Sequence, residues 1–271
     1  MQLSELVRLA LEEDLGPGDI TTTACVAADA AGTATIYAKQ ELVVCGHAPA
    51  KEVFRQLGAE YIERVAEGAT AGSRQVIAEV RGPHRSLLSG ERCALNFLMR
   101  LSGIATHVRT VVAAAEGLKV VDTRKTTPLH RQLEKHAVRM GGASNHRFGL
   151  YDGVMIKDNH IVAAGGIAAA VARARAMVHP LLKVEVEVES LEELEQALAA
   201  GADVIMLDNM SNELLAQAVK MAGGRAILEA SGNMDGARAG SLAGSGIDYV
   251  SMGGLIHQAR WVDLSMRIQE S

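Results

Sequence analysis

Lys183-Val-Glu-Val-Glu-Val-Glu-Ser190-Leu-Glu-Glu193-Leu-Glu-Gln-Ala-Leu-Ala-Ala-Gly201-Ala-Asp-Val-Ile-Met-Leu-Asp208-Asn209 is the stretch that decides the architecture. Val184, Val186 and Val188 alternate with Glu185, Glu187 and Glu189, the period of two that belongs to a strand. Ser190 followed three residues later by Glu193 is a capping box, so a helix starts at Leu191. Gly201 supplies the left-handed stop, and Asp203 to Leu207 is a short apolar run of the kind that buried parallel strands use.

The same unit recurs on both sides. The strands read KVVD (119–122), GVMIK (153–157), KVEVEV (183–188), DVIML (203–207), AILEA (226–230) and YVSMG (249–253), and Ser211 and Gly223 bracket a further helix. Polar strand ends fall at Lys157, Glu187, Asp208, Glu229 and Ser251, in steps of 30, 21, 21 and 22 residues. Alternating strands and helices predict a parallel sheet, and polar residues gathered at the strand ends suggest a barrel with its site on the C-terminal face. The second half is too short for eight units, so six or seven strands are expected. Periodicity leaves an open doubly wound sheet as the alternative.

Upstream the pattern is different. Leu3, Leu6, Val7, Ala10 and Leu11 recur at helical spacing up to the breaker Gly16-Pro17-Gly18. Residues 33 to 80 carry short β-like runs separated by Gly and Pro, with one helical stretch near Ala50 to Leu57, which reads as a small α+β unit. Residues 88 to 116 predict a long helix with a possible kink at Gly103, bridging into the second half.

Composition removes several functional classes. Of 271 residues 48% are hydrophobic, enough for a sizeable core, while only 3% are aromatic, which leaves little material for base stacking. A net charge of −5 argues against a global nucleic-acid or anionic-membrane footprint. Cys25, Cys45 and Cys93 are widely spaced, fit neither a disulfide framework nor a zinc site, and point to a reducing cytoplasm. Glu5, Glu12, Glu13 and Asp14 do not suit a signal peptide, and no apolar run is long enough to span a membrane.

Against that acidic background, Arg124, Lys125, Arg131, Lys135, Arg139 and Arg147 face a single acid, Glu134, between residues 124 and 147. Arg131, Lys135 and Arg139 share one helix face and could simply be solvated. Arg124 and Lys125 directly follow a buried strand, where desolvated cations need an anion, for which carboxylates or phosphates are natural partners. Lys157 ends a strand as a Schiff-base nucleophile, an anion clamp or a salt-bridged structural residue. If helices cover the outside of the sheet, Glu185, Glu187 and Glu189 point inward, although an exposed edge strand would show the same alternation. Glu187 and Asp208 end neighbouring strands and suit Mg²⁺, with a helix-capping role as the alternative for Asp208. Ser231-Gly232-Asn233 and Ser251-Met252-Gly253-Gly254 follow the last two strands, where small residues let backbone amides approach a phosphate.

At these residues the chain resembles the quinolinate phosphoribosyltransferases, the carboxylating nicotinate-nucleotide pyrophosphorylases. The resemblance runs in order through LALEEDLGPGDITT (9–22), GERCALNFLMRLSGIAT (90–106), DTRKTTP (122–128), GGASNHRFGLYDGVMIKDNHI (141–161), VEVEVESLEEL (184–194), GADVIMLDN (201–209), LEASGN (228–233) and DYVSMGGLIH (248–257). Two departures stand out: Leu129 where many members have Gly in TTPGLR, and Ala143 where they have the third Gly of GGG.

The resemblance implies a type II phosphoribosyltransferase fold. An N-terminal α/β sandwich would span 1–105, an incomplete parallel α/β barrel 106–259, and a C-terminal helix from about 260 to 271 would return to the first domain. It implies transfer from phosphoribosyl pyrophosphate to quinolinate with decarboxylation, with Mg²⁺ held by Glu187 and Asp208. By the same matching Lys125, Lys157, Glu187 and Asp208 are the catalytic residues. Arg92, Arg124, His146, Arg147 and Lys157 contact substrates, and Ser231 to Asn233 with Ser251 to Gly254 hold the phosphate. Arg92 would be supplied to a neighbouring subunit, making a homodimer with shared sites the minimum active unit. Three rivals share parts of this pattern: a molybdenum-transport-operon paralogue of the same fold, a lysine-dependent barrel aldolase, and a ligand-binding protein without catalysis.

Overall fold

The computed structural model describes residues 2–269 and divides into two compact units. Among the described residues the first comprises 2–109, 127–142 and 258–269, and the second 110–126 and 143–257. Helix α1 (Leu3–Leu15) ends at Gly16, and α2 (Ile20–Cys25) is capped by Asp19, whose carboxylate accepts the Thr22 amide at 2.9 Å. Then follow β1 (Ala31–Ala38), β2 (Leu42–Val43), α3 (His47–Gln56), β3 (Glu60–Glu63), β4 (Thr70–Ala71), β5 (Val76–Pro83) and α4 (His84–Ala114).

Helix α4 runs unbroken through the position of the expected kink. A Cβ on Gly103 would lie 2.1 Å from the Arg260 carbonyl oxygen, so the glycine serves close approach rather than bending. Beyond it lie β6 (Lys119–Val121), α5 (Arg131–Gly141), β7 (Val154–Ile156), α6 (Asp158–Ala164), α7 (Ile167–Met177), β8 (Val184–Val188), α8 (Leu191–Ala199), β9 (Val204–Asp208), α9 (Asn212–Ala222), β10 (Ile227–Ser231), α10 (Gly236–Ser241), β11 (Tyr249–Ser251), α11 (Gly254–His257) and β12 (Leu264–Ile268).

In the first unit the sheet order is β12-β1-β5-β3, antiparallel throughout. Leu6, Val7 and Leu11 of α1, Val53 and Phe54 of α3, and Leu95 and Leu98 of α4 pack into one core with Ile36, Val80, Leu264 and Met266. The expected C-terminal helix is corrected. Residues 264–268 form a strand, because Leu264 and Met266 are buried while Ser265 and Arg267 between them are not, a period of two that only a strand can satisfy. Residues 270–271 lie outside the described range.

The three cations of α5 also separate, and none of them belongs to the barrel unit. Lys135 is fully buried and Arg139 is exposed, so the expectation of one solvated face fails at its middle position. Leu129, at the first departure from the family pattern, sits at φ +68°, the conformation a glycine there would adopt freely. Ala143 keeps a negative φ, so that departure carries no backbone strain.

The second unit holds a six-stranded parallel sheet in the order β6-β11-β10-β9-β8-β7. Strands β7 to β11 are added one beside the next, and β11 then pairs with β6, the first strand of the unit. That is barrel winding, whereas a doubly wound sheet reverses direction at a switch point. Strands β6 and β7 stand at the two ends of this order, and on its free side β6 makes only an isolated bridge from Val121 to Ser144, outside β7, so the barrel is incomplete. Outer helices begin where the sequence places them: Ser190 Oγ accepts the Glu193 amide at 3.2 Å, and Ser211 Oγ the Leu214 amide at 3.3 Å. No helix among the described residues is long and apolar enough to cross a membrane.

Candidate active site

Parallel strands that share one winding bring their C-terminal ends to one rim, and most of the residues singled out from sequence lie there. Arg124 and Lys125 follow β6. The Arg124 Nε is buried without a hydrogen-bond partner. Beside it, burial and then the charge of Arg124 pull the Arg147 guanidinium below its ordinary pKa. Two cations that disfavour each other in a partly desolvated place are what a bound anion relieves.

The segment carrying His146 and Arg147 is held from below. Asp122, fully buried at the end of β6, accepts the Asn145 side-chain amide at 2.7 Å and the His146 backbone amide at 2.9 Å. The His146 ring is pinned at both nitrogens: Nδ1 accepts the Arg147 backbone N–H at 2.8 Å, and Nε2 faces Glu229 at 3.1 Å and Glu185 at 3.4 Å. Burial works against an imidazolium, but the two carboxylates outweigh it and lift the His146 pKa to about 9. The Arg147 N–H at Nδ1 fits the neutral ring, so taking up a second proton requires that amide to turn away. Burial pushes the Glu185 carboxyl up to about 7, while its neighbour Glu229 is lowered, because the hydrogen bond and charge of His146 overcome an even deeper burial.

Lys157 ends β7 and ion-pairs with Glu187 of β8. That contact favours an ammonium clamp over a desolvated amine nucleophile. The three glutamates of β8 grade outward along the strand, from Glu185 buried, through Glu187 half-buried, to Glu189 exposed past its end. In the ladder Glu187 lies level with Met206, so Asp208 sits two residues further along β9. Asp208 accepts the Asn209 side-chain amide at 2.7 Å.

The loop after β10 is built around Gly232. At φ +87°, a Cβ there would lie 2.2 Å from Asn209 Oδ1. Asn209 and Asn233 flank it at φ +54° and +48°, and Asn233 Nδ2 donates to Asn209 Oδ1 at 3.2 Å. Arg238 fixes the loop from behind, donating to the carbonyls of Gly232 at 3.0 Å and Met210 at 2.6 Å. Ser251 Oγ donates to Ser231 Oγ at 3.1 Å. A Cβ on Gly253 would lie 2.6 Å from Lys125 Cδ, so that glycine makes room for the lysine stem. Met252 is buried and Gly254 opens α11.

Arg124, Lys125, His146, Arg147, Lys157, Glu187, Asp208 and both loops thus belong to one unit. Arg92 does not. It is exposed on α4 in the other unit. Sequence reasoning assigned no role to Asp122, Glu229 or Arg238. A carboxylate at the end of a buried strand was the available signal for the first two.

A parallel barrel whose rim gathers paired guanidiniums, a lysine–glutamate pair and a glycine loop defines an α/β-barrel enzyme working on an anionic substrate. The profile described as "Quinolinate phosphoribosyl transferase, C-terminal domain" matches residues 104–267, and its N-terminal counterpart matches 19–102. The chain is 43% identical to the probable nicotinate-nucleotide pyrophosphorylase [carboxylating] of Bacillus subtilis, over 99% of this chain and 94% of that one. It is 41% identical to the Homo sapiens nicotinate-nucleotide pyrophosphorylase [carboxylating], over 98% and 91%. The crystal structure of NadC from Streptococcus pyogenes superposes with a TM-score of 0.94 at 42% identity, covering 99% of this chain and 98% of that chain. The chain belongs to the quinolinate phosphoribosyltransferase family.

Proposed function

We propose that this rim transfers the phosphoribosyl group of phosphoribosyl pyrophosphate to quinolinate with loss of one carboxylate. The products are nicotinate mononucleotide, pyrophosphate and CO₂, a step of de novo NAD biosynthesis. The observation that carries the reading is the buried, unpartnered Nε of Arg124 beside Arg147, whose guanidinium is held below its ordinary pKa by burial and by the Arg124 charge. A dicarboxylate answers both cations at once.

Arg124 and Arg147 hold the quinolinate carboxylates, with Lys125 and Lys157 as further cations at the same rim. Ser231 to Asn233 and Ser251 to Gly254 offer backbone amides to the 5-phosphate. Pyrophosphate departure leaves positive charge on the ribose, which Glu187 and Asp208 stabilise. Loss of CO₂ leaves negative charge on the ring, which the guanidiniums and lysines hold. Two carboxylates on neighbouring strands are hard oxygen donors that fit Mg²⁺, an ion that takes one or two carboxylates and fills its shell with water and substrate oxygens. When bound, Mg²⁺ supplies charge neutralisation for the pyrophosphate.

Arg92, which belongs to the other unit, is supplied to a neighbouring subunit, so the working form is a homodimer or a higher homo-oligomer. The three cysteines are all unpaired, which suits a reducing cytoplasm. Incubation with phosphoribosyl pyrophosphate, Mg²⁺ and quinolinate labelled at the 2-carboxylate should release labelled CO₂ in step with nicotinate mononucleotide. Binding of quinolinate without CO₂ release would reduce the protein to a ligand carrier. Trapping of a borohydride-stable substrate adduct on Lys157 would favour the aldolase reading instead.

A further inference from the structure

The two loops that follow β9 and β10 are held to the barrel very differently. After β9 the Asn209 backbone N–H donates to the Ser231 carbonyl at 3.0 Å, which continues the ladder past the strand end, and Met210 beyond it is buried. After β10 the chain turns through Gly232 and Asn233 at φ +87° and +48°, and the backbone N–H groups of both residues donate to no protein group among the described residues. Two contacts restrain that turn. Asn233 Nδ2 donates to Asn209 Oδ1 at 3.2 Å, and Arg238 Nη1 donates to the Gly232 carbonyl at 3.0 Å. The same guanidinium donates through Nη2 to the Met210 carbonyl at 2.6 Å, so one planar fork ties the lightly held loop to the firmly held one.

Arg238 is itself fixed in α10, where its backbone N–H donates to Asp235 Oδ1 at 2.8 Å and its carbonyl accepts Ser241 Oγ at 2.7 Å. The side chain is half-buried and makes no ion pair with a carboxylate among the described residues. A carboxylate would compensate such a charge better than two neutral carbonyls do, so what the guanidinium holds is backbone. In a trans peptide the C=O and the N–H of the following residue point in opposite directions. Pinning the Gly232 carbonyl on Arg238 therefore turns the Asn233 N–H away from Arg238, with no protein acceptor to receive it. We infer that Arg238 is a positioning residue for the phosphorylated substrate: it braces the Gly232–Asn233 peptide against Met210 and so aims the Asn233 N–H at the 5-phosphate. Without the brace, Met210 keeps its burial and Asn209 its ladder bond, whereas Gly232 and Asn233 keep a single side-chain contact. The loss is felt at the phosphate loop.

The inference rests on the phosphoribosyl reading, and direct binding separates the two. Ribose 5-phosphate and pyrophosphate, the two ends of the phosphoribosyl donor, are titrated calorimetrically with Mg²⁺ into wild type and Arg238→Ala, and quinolinate is titrated alone. A melting curve establishes that the variant is folded. Arg238→Ala should bind ribose 5-phosphate about tenfold or more weakly, with pyrophosphate and quinolinate within about twofold of wild type. In turnover the KM for phosphoribosyl pyrophosphate should rise while that for quinolinate stays in place. A folded variant with wild-type affinity for ribose 5-phosphate would overturn the inference, as would equal losses for all three ligands, the mark of a merely structural role. Wild-type protein that binds no ribose 5-phosphate overturns it as well. If wild type binds ribose 5-phosphate but releases no CO₂ from quinolinate, the functional reading falls and the variant comparison still decides this one. Should the alanine variant not fold, Arg238→Met keeps the length of the stem and drops both donors. A loss confined to ribose 5-phosphate then upholds the brace, and an unchanged affinity ends it.

Discussion

Two half-buried guanidiniums side by side constrain the chemistry more than any other pair among the described residues. Burial and Arg124 together lower the Arg147 pKa, so each cation raises the energy of the other until an anion arrives. Removing one of them leaves a substrate carboxylate partly desolvated and unanswered. Arg147→Ala should therefore weaken quinolinate binding by about 2–5 kcal/mol. Calorimetric titration of the purified variant checks this, and an unchanged affinity would take Arg147 out of the site. Leu129 offers a cleaner energetic test because it is exposed and holds φ +68°. A side chain with a Cβ resists that conformation by roughly 1–2 kcal/mol, so Leu129→Gly should raise stability by up to about 1 kcal/mol once the extra freedom of glycine in the unfolded chain is set against it. Denaturant unfolding would read the difference, and a destabilised variant would show that Leu129 makes contacts worth more than its strain.

Elements show where sequence sufficed and where it could not. The six barrel strands were legible because each is a short apolar run ending in a polar residue, and the helices after β8 and β9 start at the capping serines Ser190 and Ser211, so local chemistry and global winding agree. Strand β12 was not legible from the resemblance, which implies a helix there, although the alternation of Leu264 and Met266 with Ser265 and Arg267 was available in the sequence. Burial of Lys135 was hidden because a helix wheel cannot say which face meets protein. Glu229 was visible as a polar strand end, but its partnership with His146 joins residues far apart in the chain, and only the winding brings them together. The start of α3 carries a similar long-range contact. Glu67 accepts the backbone amides of Gly46 at 2.9 Å and His47 at 3.2 Å, and His136 Nε2 at 3.0 Å, capping a helix that has no side-chain cap of its own. Burial opposes its charge, yet these donors win and hold the carboxyl down at about 2. Cys45 lies close enough to complete a three-ligand group, but burial drives its thiol far upward and Glu67 is already spoken for. A carboxyl whose folded pKa lies below its unfolded one stabilises the fold above the unfolded value of 4.5, and loses that contribution as pH falls toward 2. Glu67→Gln should thus be less stable than wild type by on the order of 3 kcal/mol at pH 7, with the gap narrowing below pH 4.5. Unfolding curves at pH 7, 4 and 3 test it, and a gap that does not change with pH would mean the carboxylate charge is irrelevant.

At the scale of the whole molecule the open question is how many chains make one site. The barrel unit supplies Arg124, Lys125, His146, Arg147, Lys157, Glu187 and Asp208 from its two segments, 110–126 and 143–257, whereas Arg92 belongs to the other unit and is exposed on α4. An exposed arginine that serves chemistry must reach a rim, either that of its own chain or that of a second copy, and complementation distinguishes the two. Arg92→Ala and Lys157→Ala are each expected to abolish turnover, because a missing cation at a charge-stabilising site is not replaced by its neighbours. If sites are shared, a mixed dimer has one site built from intact Arg92 of one chain and intact Lys157 of the other, and a second site that carries both lesions. Such heterodimers, purified with two different affinity tags, should recover up to about half the wild-type activity per dimer. If Arg92 serves its own chain, both sites of the mixed dimer carry one lesion each, and activity stays at the level of the parents. Recovery would also require that the dimer persist at assay concentration, so activity per heterodimer should fall on dilution below its dissociation constant. Inactive heterodimers that remain associated would end the shared-site reading.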